Sequence, residues 1–253
     1  MIISDSPDNR TAPIQMRVVI AATIILAGGL WLIQLQGWHQ ARLYGVGVAM
    51  GLVLYHAAFG FTGAWRQMLV HRQTTGVEAQ LLMLAVATLI FAPALANGEL
   101  WGTPVSGAVA PIGIQVAVGA FLFGLGMQLG GGCGSGTLFT VGGGSTRMVL
   151  TLVTFCAGSF WASLDMQWWV NTPRLPGIAL GDIWGWPLAA LAQLAVLGVL
   201  FLMLKRWRRP VRVSDHGPFS WHSLYQGPWL LGWGAVALAL LNWITLGLSG
   251  HPW

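Results

Sequence analysis

The sequence is poor in charged residues. Only 8% of its 253 residues are charged, whereas a soluble domain carries about 25%. So few charged side chains cannot cover a water-exposed surface, which argues against a soluble globular fold and favours one embedded in lipid. The mean hydropathy of +0.68 agrees with this reading. So do the 15 tryptophans and 35 glycines, because both residues are common in membrane proteins.

Cysteine and lysine are also scarce. The only cysteines, Cys133 and Cys156, are too few for a disulfide framework, and their spacing is not that of metal ligands. We therefore expect no metal and no cofactor. The net charge of +5 does not indicate a nucleic-acid partner, because the basic residues, including the single lysine Lys205, lie between apolar segments, where they set membrane orientation.

The apolar runs predict an all-α, polytopic membrane helix bundle. A spanning helix needs roughly 20 apolar residues, and we expect about seven membrane helices, some of them partial spans, in a single transmembrane domain over residues 1–253. The first run is longer than the core of a signal peptide and is predicted to be retained. The runs cover residues 18–38, 43–55, 79–98, 100–146, 148–164, 183–204 and 223–250.

The basic residues predict the orientation, because loops on the cytoplasmic side are enriched in Lys and Arg. With a cytoplasmic N-terminus, only Arg42 and Arg174 lie outside, and the outside loops cover residues 98–110 and 165–182. The other ten basic residues are then cytoplasmic: Arg10, Arg17, Arg66, Arg72, Arg147, Lys205, Arg206, Arg208, Arg209 and Arg212. The loop from Lys205 to Gly217 is therefore predicted to be cytoplasmic. Its dense basic group at residues 205–212 is a topology signal first and a contact for anionic lipid second.

Two stretches resemble each other at an offset of 73 residues and indicate an internal repeat. Transporters often place a binding site between repeated, discontinuous helices. The matched pairs are Gly51 with Gly124, Leu52 with Leu125, Gly60 with Cys133, Thr62 with Ser135, and Gly63 with Gly136.

The most unusual sequence is the glycine-rich block at residues 130–137, which contains Cys133. Glycines lower helix stability, so the helix at residues 114–129 is predicted to break there, and a short helix capped by Ser135 or Thr137 is predicted to restart and stop at residues 142–144. A half-helix N-terminus inside the membrane is an anion site, and a soft sulfur atom suits a sulfur-bearing anion. The candidate substrate-binding residues are Cys133, Gly132, Gly134, Ser135 and Gly136, with Gly60 and Thr62 from the first repeat.

Packing explains part of the same pattern. Small residues let membrane helices approach each other closely, and a buried cysteine is often an inert small hydrophobe; Cys156 is interpreted in this way. His56 either lines a path near the first break or is a histidine with its hydrogen bonds satisfied. The glycine block is not a phosphate-binding loop, because no Lys-Ser/Thr pair follows it.

These motifs resemble the YeeE/YedE membrane family. The similar segments are Phe123-Gly124-Leu125-Gly126-Met127, Gly131-Gly132-Cys133, Gly136-Thr137, Gly51-Leu52-Val53-Leu54, Phe59-Gly60-Phe61-Thr62-Gly63-Ala64-Trp65-Arg66, Gly227-Pro228-Trp229 and Ala239-Leu240-Leu241-Asn242. The resemblance implies a bacterial inner-membrane protein that takes up thiosulfate or a related sulfur anion, which passes between cysteine thiols on broken helices, with Cys133 as one of them.

The sequence departs from the family pattern in two places. Gly60 stands where the family usually has a cysteine, so one relay thiol is absent. A further cysteine belongs to a later half of the family's chain, so we expect this chain to be the N-terminal portion of a longer protein. Its partners would then be the sulfur anion, membrane lipid, and a missing second half or a homo-oligomer.

Transport is the function that the sequence favours. Two alternatives stay open: a membrane sulfur-transfer protein that forms a persulfide on Cys133, and an incomplete subunit that does not transport. No His/Asp pair accompanies Cys133 locally, so nucleophilic catalysis has no visible base, and an enzyme is not expected.

Overall fold

The computed structural model describes residues 12–208 and 229–251, and these residues are mostly helical. The helices are α1 (Ala12–Ala57), α2 (Phe61–His71), α3 (Thr75–Asn97), α4 (Ile114–Gly130), α5 (Gly134–Gly142), α6 (Thr146–Leu164), α7 (Met166–Val170), α8 (Leu180–Trp184), α9 (Trp186–Trp207) and α10 (Leu231–Ser249). The strands have two residues each: β1 (Glu99–Leu100), β2 (Thr103–Pro104), β3 (Ile112–Gly113) and β4 (Arg174–Leu175). The predicted all-α class is confirmed. Arg10, Arg209, Arg212, the rest of the predicted loop to Gly217 and residues 223–228 lie outside the described residues.

Six segments of the described chain are long and apolar enough to cross a membrane: Val19–His71, Thr75–Asn97, Ile114–Gly142, Thr146–Leu164, Trp186–Trp207 and Leu231–Ser249. The sequence favoured about seven, and the difference lies in the first segment. That segment has 53 residues and combines the first two predicted apolar runs. Its non-helical Gly37, at φ 79° and ψ −179°, lies near the end of the first run.

The apolar side chains of these helices face outward to a degree that water would not tolerate. No residue of α4 is buried, and Leu129 is 85% exposed. A lipid environment solvates such a surface. The chain is therefore a multi-pass membrane protein.

The chain divides into two compact units, Met1–Val48 and Ala49–Trp253. In the first unit, the turn at Gly37 brings Tyr44 back against Gly28: a Cβ on Gly28 would lie 3.0 Å from the Tyr44 hydroxyl oxygen. A side chain at position 28 would require the Tyr44 hydroxyl to move by a few tenths of an ångström.

The second unit is built around α3, which packs against α2, α9 and α10. Its core joins the end of α1 to α3 and α10 through Val53, Ala57, Phe59, Ala79, Ala235 and Leu238. The contact between α1 and α10 is very close, because a Cβ on Gly234 would lie 2.5 Å from the Cβ of Ala57. This packing fixes the end of α1, where the first helix break begins.

The loops of the second unit fall into two groups. β3 pairs with β4, so the loop before α4 meets the loop after α6, and Ser106 donates its N–H to the carbonyl of Gly250 at 3.0 Å. At the other end of α3, Glu78 lies 3.8 Å from Arg208 at the end of α9. The loops predicted to lie outside therefore cluster together. Arg208, which is predicted to be cytoplasmic, lies at the opposite end of α3.

Candidate functional site

The first helix break separates α1 from α2. Ala58 follows the last residue of α1 and has a left-handed backbone, with φ at 45°. Two residues later, Gly60 is the N-cap of α2 in an extended conformation, and no side chain caps this end. The N–H groups of the first turn of a helix have no partner within the helix. The N-terminus of α2 therefore presents backbone donors and the positive end of the helix dipole.

The second break separates α4 from α5, within the predicted glycine block. Gly131 ends α4 with a left-handed backbone, at φ 79°, and Cys133 is the N-cap of α5. The Cys133 sulfur accepts a hydrogen bond from the Gly136 N–H at 3.3 Å. The predicted break is confirmed, and so is the stop of the short helix at Gly142.

The predicted cap of the restarting helix was wrong. We expected Ser135 or Thr137 to cap α5, but the cap is Cys133. The reason is that the helix restarts at Gly134, so Ser135 and Thr137 already have helical positions, and the extended residue before the helix (φ −77°, ψ 180°) is Cys133.

The two breaks have the same sequence of backbone conformations at matching positions. Ala58 and Gly131 are the left-handed residues, and Gly60 and Cys133 are the N-caps. In both pairs the second residue follows the first by 73 positions, which is the offset found in the sequence. The internal repeat is therefore a repeat of broken helices.

Close packing explains one glycine of the second break. A Cβ on Gly132 would lie 3.0 Å from the terminal methyl carbon of Met148 and 3.1 Å from the Thr137 hydroxyl oxygen. A larger residue would displace α6 or the first turns of α5. The packing interpretation of the block thus holds for Gly132, and it coexists with a site beside it.

Both breaks open onto one cavity of about 400 Å³. Residues 58–60 and the start of α2 line it from one side, and residues 131–133 with the start of α5 line it from the other. Polar groups come from Thr62, Gln67, Gln73, Thr75, Gln80, Cys133 and Thr140. None of the described residues that line it is Asp, Glu, Lys, Arg or His.

This arrangement favours an anion. Two helix N-termini point their partial positive charges at the same space, and no carboxylate among the described lining residues opposes them. Gly60 leaves no side chain between the cavity and the N-terminus of α2, whereas the Gly136 N–H is already bonded to the Cys133 sulfur. The first turn of α2 is thus the source of unbonded backbone N–H groups at the cavity.

Five of the seven predicted substrate-binding residues line the cavity: Gly60, Thr62, Gly132, Cys133 and Gly136. The other two do not. Gly134 faces α6, where a Cβ would lie 3.7 Å from the Phe155 ring. Ser135 is exposed, with its hydroxyl 3.4 Å from the Cys133 sulfur. The roles of all seven in binding stay predictions.

The sequence reasoning missed Gln80, which comes to the cavity from α3. Its side chain is only 5% exposed. A signal was present, because Gln80 is a polar residue inside the apolar run at residues 79–98, and polar residues within membrane helices are often functional.

Two other residues lie away from the cavity. His56 is half-buried, and its Nδ1 lies 2.9 Å from the carbonyl of Leu52 in a hydrogen bond, which agrees with the interpretation as a satisfied histidine. Cys156 is exposed on α6 and is not among the lining residues.

Taken together, the helices and the paired breaks define a multi-pass membrane protein with a repeated helix break. Residues 56–253 match the family described as sulphur transport. The chain belongs to this family, the YeeE/YedE family, and the resemblance drawn from the sequence motifs is confirmed.

Two relatives carry the name thiosulfate transporter TsuA. The protein from Escherichia coli is 29% identical over 221 residues, which cover 80% of this chain and 59% of the relative. The protein from Spirochaeta thermophila is 28% identical over 128 residues, which cover 50% of this chain and 37% of the relative. The chain thus spans less than two thirds of the length of either relative.

Proposed function

We propose that this chain transports a small sulfur-containing anion, such as thiosulfate, across a bacterial inner membrane, with its N-terminus in the cytoplasm. The observation that carries the proposal is the meeting of two broken-helix N-termini, capped by Gly60 and Cys133, at one cavity. Family membership and the names of the two relatives support sulfur as the element carried.

The chemistry of the cavity suits an anion with one sulfur end and several oxygen atoms. Backbone N–H groups of the first turn of α2 donate to the oxygen atoms. The Cys133 thiol contributes a soft, polarisable contact to a terminal sulfur atom. Because the site has no fixed cation among the described lining residues, it holds the anion weakly enough to release it.

Transport is favoured over sulfur transfer through a persulfide. Formation of a persulfide needs a thiolate, and an adjacent base normally activates such a nucleophile. The described lining residues include no His, Asp or Glu beside Cys133. The lining suits passage of an anion better than covalent chemistry on it.

We further propose that the active form includes helices beyond one copy of this chain, from a second copy or from a partner chain. α4 supports this, because it precedes the break at residues 131–133 and none of its residues is buried. A second helix against α4 would enclose that side of the break.

The experiment is uptake by the purified chain in liposomes. Vesicles that contain the 253-residue chain are expected to accumulate ³⁵S-thiosulfate in a saturable manner once the active oligomer is present. Empty vesicles are the control. Uptake by vesicles that hold one copy of the chain each would contradict the proposed oligomer. The absence of uptake at every protein density and with co-expressed partners would contradict transport.

A further inference from the structure

Gln80 is a buried polar residue with no hydrogen-bonding partner. It is 5% exposed and lines the cavity, and within the described part of the chain no hydrogen bond engages its side-chain amide. The side-chain atoms of the described residues that are fully buried without a partner are Thr62 Oγ1 and Trp243 Nε1, so the Gln80 amide is open to the cavity. A polar group that faces a cavity without a protein partner is free to bond a ligand there.

The packing of α2 on α3 places Gln80 beside the first break. The two helices are joined by residues 72–74 and approach closely, because a Cβ on Gly76 would lie 2.6 Å from the Cβ of Ala64. One helical turn away from this contact are Gly60, before α2, and Gln80, on α3. Gln80 and the N-terminus of α2 line the same cavity.

A second unpartnered group lies at the same helix end. Thr62 is 6% exposed, and its hydroxyl oxygen is buried with no hydrogen-bond partner among the described residues. Thr62 also lines the cavity. Two buried side chains with unused hydrogen-bonding capacity thus converge on the open end of α2.

We propose that Gln80 is a substrate-binding residue whose side-chain N–H donates a hydrogen bond to an oxygen atom of the anion. This inference rests on the proposed function. It divides the cavity into two ends: the oxygen atoms lie at the N-terminus of α2 with Gln80 and Thr62, and the sulfur atom lies towards Cys133 on the second break. An uncharged amide suits this place, because it can donate to an anion without holding it as tightly as a cation would.

The test is the Kd for thiosulfate of the full chain in detergent, measured together with its melting temperature without ligand. Gln80→Met keeps the length and volume of the side chain and removes the donor. It is expected to weaken binding at least about tenfold, as the loss of a hydrogen bond to a charged group does. The melting temperature is expected to stay equal, because the substitution removes no hydrogen bond among the described residues and keeps the packing volume.

Two further variants make the test specific. Gln80→Glu is expected to abolish binding, because it adds a negative charge to an anion site. Gln193→Met is the matched control, because Gln193 lines a different cavity, between α3 and α9, and it is expected to keep the wild-type Kd.

The outcomes separate the two proposals. If the wild type binds thiosulfate and Gln80→Met binds equally well, the inference about Gln80 is wrong and the proposed function stands. A fall in melting temperature that accompanies weaker binding in Gln80→Met would assign Gln80 a structural role and would also overturn the inference. Failure of the wild type to bind any sulfur oxyanion would overturn the proposed function itself.

Discussion

Gly60 and Cys133 hold the same position in two different broken helices: each is the extended N-cap of a short helix, and both line one cavity. They are related by the repeat, but their chemistry differs, because only Cys133 has a side chain that can cap its helix. The pseudo-symmetric backbone therefore holds an asymmetric site, with sulfur on one side and bare backbone on the other.

The close approach of α2 to α3 gives the first prediction. Gly76→Ala places a Cβ 2.6 Å from that of Ala64, and such overpacking costs about 1–3 kcal/mol. Gly63→Ala is the matched variant on α2, because its new Cβ meets nothing within 4 Å, and it should stabilise the helix by up to about 1 kcal/mol. The melting temperature in detergent should fall for Gly76→Ala and should not fall for Gly63→Ala. Equal shifts would show that α2 and α3 are not packed this closely.

The left-handed residues of the two breaks give a second matched pair. Gly131→Ala adds a side chain at φ 79° in open space, so only backbone strain acts, at about 1–2 kcal/mol. Ala58→Gly removes the same kind of strain at φ 45°. We expect the melting temperature to fall for Gly131→Ala and to hold or rise for Ala58→Gly. A stabilising Gly131→Ala would be inconsistent with a break at that residue.

Much of this fold follows from hydrophobicity and glycine. Apolar runs of membrane length predicted the helices, because an α-helix satisfies every backbone group within hydrocarbon. Glycine density predicted the break at residues 131–133, and the 73-residue offset predicted its relation to Gly60. These features are local in the chain, so the sequence carries them directly.

The remainder depends on tertiary contacts. The cap of α5 is Cys133, and not Ser135, because the helix restarts two residues earlier than a cap at Ser135 would require. Gln80 reaches the cavity because Gly76 lets α3 approach α2, which no pattern within α3 alone reveals. Gly134 and Ser135 point away from the cavity because the first turn of α5 also packs on α6.

The proposed orientation gives a third prediction. In a background of Cys133→Ala and Cys156→Ala, Ser214→Cys tests the predicted cytoplasmic loop, and Ala108→Cys tests the loop between β2 and β3 that we propose lies outside. An impermeant thiol reagent added to intact cells should label the Ala108→Cys protein at once and the Ser214→Cys protein only after permeabilisation. Labelling in the reverse order would invert the topology.

Substitutions of Cys133 and Cys156 test whether the second helix break recognises sulfur. Cys133 lines the cavity and caps α5, whereas Cys156 is exposed on α6 and lines no part of it. The decisive measurement is the initial rate of ³⁵S-thiosulfate uptake by the active form of the protein with Cys133→Ala or Cys156→Ala, at matched membrane levels. We expect Cys133→Ala to abolish uptake and Cys156→Ala to keep the uptake rate near that of the wild type. Equal uptake by Cys133→Ala and the wild type would contradict a sulfur-recognising site at the second break.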